Sequence, residues 1–185
     1  MTSVTDRHES AVAPRLAAVQ RGLASPARTP RTAVVVGRLL APVVLVVFMT
    51  GLWSHLLQDP PTWLPLPTRP VTLYQWTQGT HTVLGTAMLP LVLAKLWTVY
   101  PRLFDWPPIT SPVHALERVS VALLVATALL EPVIGLINTY QWYPWPFPFR
   151  ETHFALAWVM VGSVLLHVAV KLPVISLHWR AGRER

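Results

Sequence analysis

The chain has 185 residues, 52% of them hydrophobic and 12% charged, with a formal net charge of +7 and no cysteine. That balance is a membrane composition, and the missing thiols exclude disulfides, iron–sulfur clusters, thiolate nucleophiles and haem attachment through C-x-x-C-H within this chain. The positive charge does not indicate nucleic acid, because the arginines gather in the N-terminal tail and near the C-terminus, beside apolar runs and not among base-stacking aromatics.

In chain order, residues 1–32 are rich in Ala, Arg, Ser, Thr and Pro without a steady apolar period, and read as a disordered cytoplasmic tail. They are not a signal peptide, since no apolar core with a small-residue cleavage site follows the charges; the first span acts as an uncleaved anchor. Four apolar segments follow, at about 33–57, 79–100, 113–139 and 151–177, each longer than the ~20 residues that cross ~30 Å of hydrocarbon. The expected fold is an all-α integral membrane four-helix bundle over 33–177, ending in a basic cytoplasmic tail at 178–185. Pro42, Pro90 and Pro132 fall inside spans, where neighbouring helices can satisfy the freed carbonyls, so kinks and not breaks are expected.

Basic residues concentrate in the tail, around the middle loop (Arg102, Arg118) and at the C-terminal end (Lys171, Arg180, Arg183, Arg185), while the other two loops carry only Arg69 and Arg150. The positive-inside rule then places both termini in the cytoplasm of a multi-pass protein of the cell inner membrane. The two outer loops, 59–78 and 140–150, are dense in Pro, Trp, Tyr and Phe. Such residues form an interfacial belt; Trp and Tyr also dominate binding hot spots, so Trp63, Tyr74, Trp142 and Trp145 are candidates for docking an external partner.

The histidines carry the chemistry. His153 and His167 stand fourteen residues apart in span four, a step of ~21 Å that returns almost to the same helix face. His81 stands fourteen residues before Lys95 in span two. Ionisable side chains at membrane depth usually mark function, and paired imidazoles facing a bundle interior are what a b-type haem requires. A weak internal repeat aligns THTVLGTAMLPLVLAKL from Thr80 with THFALAWVMVGSVLLHV from Thr152, each preceded by a span containing Gly-Leu (Gly51-Leu52, Gly135-Leu136). Duplication would put His81 and His153 at equal depth, as a shared axial pair. They are the expected haem and metal ligands, and the other reading is that they are interhelical hydrogen-bonding glue.

The remaining histidines sort by depth. His55 lies within ~5 Å of the outer boundary, as an interfacial residue, a ligand, a propionate partner or a proton relay. His167 lies ~25 Å deep, and the only other histidine near that level is His114, which falls about 10 Å too near the cytoplasm. An outer haem is therefore better supported than an inner one; one haem b is expected, and a second at His167 and His114 is left open. Gly85 and Gly162 would let a flat macrocycle approach the backbone, or serve plain helix packing. Lys95, Arg38 and Lys171 snorkel to the interface or pair with propionates.

Four spans with a histidine early in span two and a His-x13-His pair in span four resemble the four-helix di-haem cytochromes b of bacterial hydrogenases and formate dehydrogenases. The segments TGLWSH (50–55), QGTH (78–81), KLWTVYPRLFDWPP (95–108), HALERVSV (114–121), QWYPWPF (141–147) and HVAVKLPVI (167–175) resemble more closely the membrane domain of actinobacterial molybdopterin-dependent oxidoreductases of the sulfite-oxidase type. That resemblance covers nearly everything after residue 33. It implies an electron-transfer subunit between an extracytoplasmic molybdopterin oxidoreductase and the quinone pool, with His81 and His153 as ligands. Two departures accompany it: the larger proteins continue into a molybdopterin domain whereas this chain ends at Arg185, so a separate partner would supply it, and Arg38 stands where the di-haem pattern wants a histidine. The alternatives are a haem-free membrane anchor for a redox partner or a small transporter, for which discontinuous spans around a polar midplane site would be wanted.

Overall fold

The structure, a computed structural model, describes residues 4–67, 69–105, 107 and 109–180. Among them run helices α1 (Val4–Gly22), α2 (Pro30–Gln58), α3 (Val71–Val99), α4 (Pro112–Thr139) and α5 (Phe149–Arg180), with a 3-10 turn over Tyr100–Phe104 and no strand. Helices α2 to α5 are each long and apolar enough to cross a membrane. The chain is an all-α integral membrane four-helix bundle.

Local chemistry sets the helix ends. Thr29 caps α2 by accepting from the Thr32 amide, and Pro30 occupies the first turn, where its missing N–H is not needed. Ser111 and Pro112 do the same for α4, with the cap bond coming from the His114 amide. At the other end of α4, Gln141 adopts φ 54°, and the amides of Gln141 and Trp142 bond back to Asn138 and Ile137. This left-handed cap, usually a glycine position, stops α4 and turns the chain toward α5. Pro42, Pro90 and Pro132 lie within continuous helices, as expected.

Two boundaries differ from the sequence reading. Helix α3 begins at Val71 and not near 79, so Tyr74 and Trp76 sit on its first turns and not in a loop. Hydropathy marks the part of a helix that lies in hydrocarbon, whereas backbone bonding continues through the polar run Thr77–Thr80 without regard to it. Residues 1–32, expected without regular structure, contain α1. Its Val12, Ala13, Leu16, Ala17 and Gln20 recur at helical spacing and form the more covered face, and Gln20 Nε2 donates to Asp105 Oδ1 at 2.6 Å. Helix α1 packs on the Tyr100–Phe104 turn. Helix α5 extends to Arg180, into the expected basic tail, whose residues 181–185 lie outside the described residues.

The bundle is two hairpins, α2 with α3 and α4 with α5, joined mainly where α3 meets α4 and more lightly where α2 meets α5. Its centre is small: Met88 and Val92 of α3, Ala128 of α4 and Met160 of α5, flanked by Leu40, Val43 and Val44 of α2. Large apolar side chains point outward instead, among them Leu45, Met49, Val83, Leu93, Leu116 and Leu165. Such a surface belongs in lipid. Because lipid solvates these chains as well as a protein core would, the bundle is held by close packing and internal polar contacts, not by apolar burial.

Truncating Met88 (1% exposed) to Ala should therefore cost only the packing it loses, on the order of 1–2 kcal/mol, while Leu45→Ala (61% exposed) should be near neutral. Reversible unfolding in mixed micelles would compare them. Equal effects would show that Met88 is not at the centre.

Candidate cofactor site between the two hairpins

The structure brings His81 of α3 and His153 of α5 together, with ring centroids 5.9 Å apart and planes at 89°. Each imidazole lies against a glycine of the preceding helix. A Cβ on Gly51 would stand 2.7 Å from His81 Cε1, and one on Gly135 would stand 3.3 Å from His153 Cε1. Glycine is what lets both rings approach the neighbouring backbone.

The position four residues before each glycine meets the same ring at Nδ1. In the first hairpin, His81 Nδ1 bonds the Val47 carbonyl oxygen at 2.9 Å, with Thr50 Oγ1 at 3.4 Å. A carbonyl only accepts, so the proton is on Nδ1 and Nε2 keeps its lone pair. In the second hairpin, His153 Nδ1 is 2.9 Å from Glu131 Oε2. That is ion-pair distance, but the approach is bent: His153 Nδ1 and Glu131 Oε1 both lack a well-aligned hydrogen bond. Separation, and not linearity, makes this contact. Glu131 is 4% exposed, a carboxylate enclosed in a membrane helix with imidazole as its neighbour.

Around the pair lies a cavity of about 150 Å³, lined on its walls by Met88, Gly85, Glu131, Phe154 and His55. His55 stacks on Phe154 at 3.7 Å and 8°, and Phe154 meets Trp158 edge-on, as does Phe48 of α2. Aromatic contact thus ties α2 to α5 beside the site. A Cβ on Gly85 would meet nothing within 4 Å, so that wall is open; the same holds at Gly162. Toward the aromatic loops, Ser54 Oγ donates to Gln78 Oε1 at 2.8 Å and Gln58 Nε2 to the Tyr74 hydroxyl at 3.2 Å, clamping α2 to α3.

These residues fit a bis-imidazole group. With about 2 Å for each metal–imidazole bond and about 1 Å from each nitrogen to its ring centre, two imidazoles that held one metal-centred group between them would stand with ring centres about 6 Å apart. The observed 5.9 Å meets that spacing. Metal-bound histidines also hold their other nitrogen on a carbonyl or carboxylate; Val47 provides this for His81, and Glu131 stands 2.9 Å from His153 Nδ1 without an aligned bond. Among the described residues no group of three or more His, Asp or Glu is placed to hold a metal ion, but a group held by two imidazoles would need only two protein ligands.

The other candidates lie elsewhere. His114 is engaged at the start of α4, where its Nδ1 accepts from the Thr110 amide (3.2 Å) with Thr110 Oγ1 2.9 Å away, and Arg118 Nε lies 3.4 Å from its Nε2. His167 has its Nδ1 buried without a partner, within electrostatic reach of Lys95, Lys171 and Glu117. Lys95 donates to the Ala33 carbonyl and Lys171 pairs with Glu117. No ring contact joins His167 to His114 among the described residues, so the pair considered for an inner site is not assembled as the outer one is. The Val47 carbonyl and the role of the two glycines were not singled out from sequence, and Glu131 stood out only as a charge within a span, able to reach an interface or the bundle interior. The repeated Gly-Leu pair was the available signal, with Glu131 four residues ahead of its second copy.

Fold and site together define a class: a multi-pass membrane bundle with one imidazole from each hairpin facing the other across a cavity. Compared with protein families, curated proteins and solved structures, the chain matches none of them.

Adding a methyl at Gly51 forces a shift of the His81 ring, whereas at Gly135 a few tenths of an ångström suffice. Gly51→Ala should destabilise the bundle by about 1–3 kcal/mol and Gly135→Ala by less. Thermal unfolding in detergent would rank them; two silent substitutions would place the imidazoles elsewhere.

Proposed function

We propose that this protein is a b-type-cytochrome-like electron-transfer subunit of the inner membrane, holding one haem b between His81 and His153. It links an extracytoplasmic molybdopterin-type oxidoreductase to the quinone pool. The observation that carries the reading is the facing imidazole pair, 5.9 Å apart, with each Nδ1 turned to an oxygen. A haem held there would supply one-electron carriage at membrane depth. The protein's own part is to fix both rings through Val47 and Glu131, admit them through Gly51 and Gly135, and enclose the site with apolar side chains. The resemblance to membrane domains of molybdopterin-dependent oxidoreductases supports the same reading, as does the clustering of basic residues at the end opposite the pair.

His81→Ala and His153→Ala should each abolish a low-spin b-type spectrum while the protein still inserts, because the axial pair needs both rings. His167→Ala and His114→Ala should leave a stoichiometry of one haem per chain. A purified wild-type sample with no reduced α band would overturn the cytochrome reading in favour of a haem-free anchor. A second haem lost with His167 would overturn the single-site assignment.

The partner would dock at the aromatic end. Trp63, Trp142 and Trp145 are 78%, 63% and 53% exposed, whereas Tyr74 is half-buried and hydrogen-bonded to Gln58. Docked aromatic anchors commonly cost about 2 kcal/mol or more when truncated. Trp142→Ala with Trp145→Ala should reduce co-purification of an external oxidoreductase by more than about tenfold at unchanged haem content. Undiminished co-purification would leave these rings as an interfacial belt only.

A further inference from the structure

A second cavity, of about 220 Å³, lies at the opposite end of the bundle, between the end of α1, the start of α2 and the turn after α3. Volume well beyond the ~10–15 Å³ that one water needs makes it roomy enough for a solute. Arg28 and Arg102 line it, and no Asp or Glu does among the described residues. A third cation lies close by: Lys95 donates to the carbonyl of Ala33, itself a lining residue. Lys95 and Arg102 are close enough to repel one another. Gln20, a lining residue, already donates its Nε2 to the carboxylate of Asp105 at 2.6 Å.

Arg28 is held in advance. Its guanidinium lies over the rings of Trp97 (4.6 Å) and Tyr100 (4.8 Å), and Nη1 donates to the Leu23 carbonyl. Its Nε is buried with no partner. A fixed guanidinium with an unused donor, sharing a cavity with a second arginine, has the chemistry to receive an anion, and its planar fork suits phosphate oxygens. Ser25 also lines the cavity; its Oγ accepts from the Ala27 amide at 3.4 Å, which leaves its hydroxyl proton free to donate.

We propose that this cavity binds a phosphate-bearing anion between Arg28 and Arg102. Its place at the ends of two membrane-spanning helices, beside the half-exposed Trp97, puts it at headgroup level, where the phosphodiester of an anionic lipid is in reach. Inorganic phosphate presents the same oxygens. The site is independent of the histidine pair, and it ties α1 and the Tyr100–Phe104 turn to α2 through one bound charge.

The full chain, purified and exchanged into phosphatidylcholine, would be titrated separately with phosphatidylglycerol and with inorganic phosphate, following bound lipid by native mass spectrometry and Tm. One phosphatidylglycerol per chain should be retained and should raise Tm. Affinity should fall about tenfold or more in Arg28→Gln and in Arg102→Gln, and stay unchanged in Arg69→Gln at the other end. Among the described residues Arg102 makes no ring contact, so its variant reads binding even if Arg28→Gln disturbs packing. A Tm rise with inorganic phosphate that Arg102→Gln abolishes would support the site with a soluble ligand. Absence of both responses, or binding that survives Arg28→Gln/Arg102→Gln within about twofold, would overturn the proposal.

Discussion

In hydrocarbon a polar group finds no water, so what partners it has must come from the protein itself, and much of this bundle is arranged around that constraint. His81 bonds the carbonyl of Val47 and so ties α3 to α2; His153 meets Glu131 and so ties α5 to α4. The two rings then face each other and bring the hairpins together at one level. With so few apolar side chains fully enclosed, these polar contacts and the close approach permitted by Gly51 and Gly135 carry much of the specificity of packing.

The hairpins are alike in plan and different in chemistry. Each offers a glycine to the imidazole of its second helix, and each holds that imidazole from the position one helical turn earlier. In the first hairpin the holder is a backbone oxygen, which any residue could supply. In the second it is the carboxylate of Glu131, which only an acidic side chain can supply. Deeper in the bundle the copies part further: Lys95 reaches a backbone carbonyl of α2, while His167, at the matching place, keeps a buried nitrogen without a partner.

Charge and aromatic character divide the two ends. Beyond the histidine pair, exposed Trp63, Trp142 and Trp145 crown the bundle; at the opposite end Arg28, Arg102, Arg118 and Lys171 gather around the Tyr100–Phe104 turn and the helix termini. Such polarity gives the molecule two chemically distinct faces for two kinds of contact, one suited to burying flat rings and one to binding anions.

The sequence by itself determined the four spans, the hairpin pairing implied by the Thr-His repeat, and the common level of His81 and His153, because apolar length and helical rise are properties of the chain read one residue at a time. It also carried the Gly-Leu signal without saying what the glycines face. Tertiary structure alone decided that Glu131 stands 2.9 Å from His153, that a carbonyl of α2 holds His81, and that no ring contact links His167 and His114 among the described residues. Only it showed α3 starting at Val71 and α1 lying on the turn after α3. The physical reason is the same in each case: which side chains from different helices meet depends on rotation and close approach between helices. Those are settled by packing across the bundle and leave no period in the sequence.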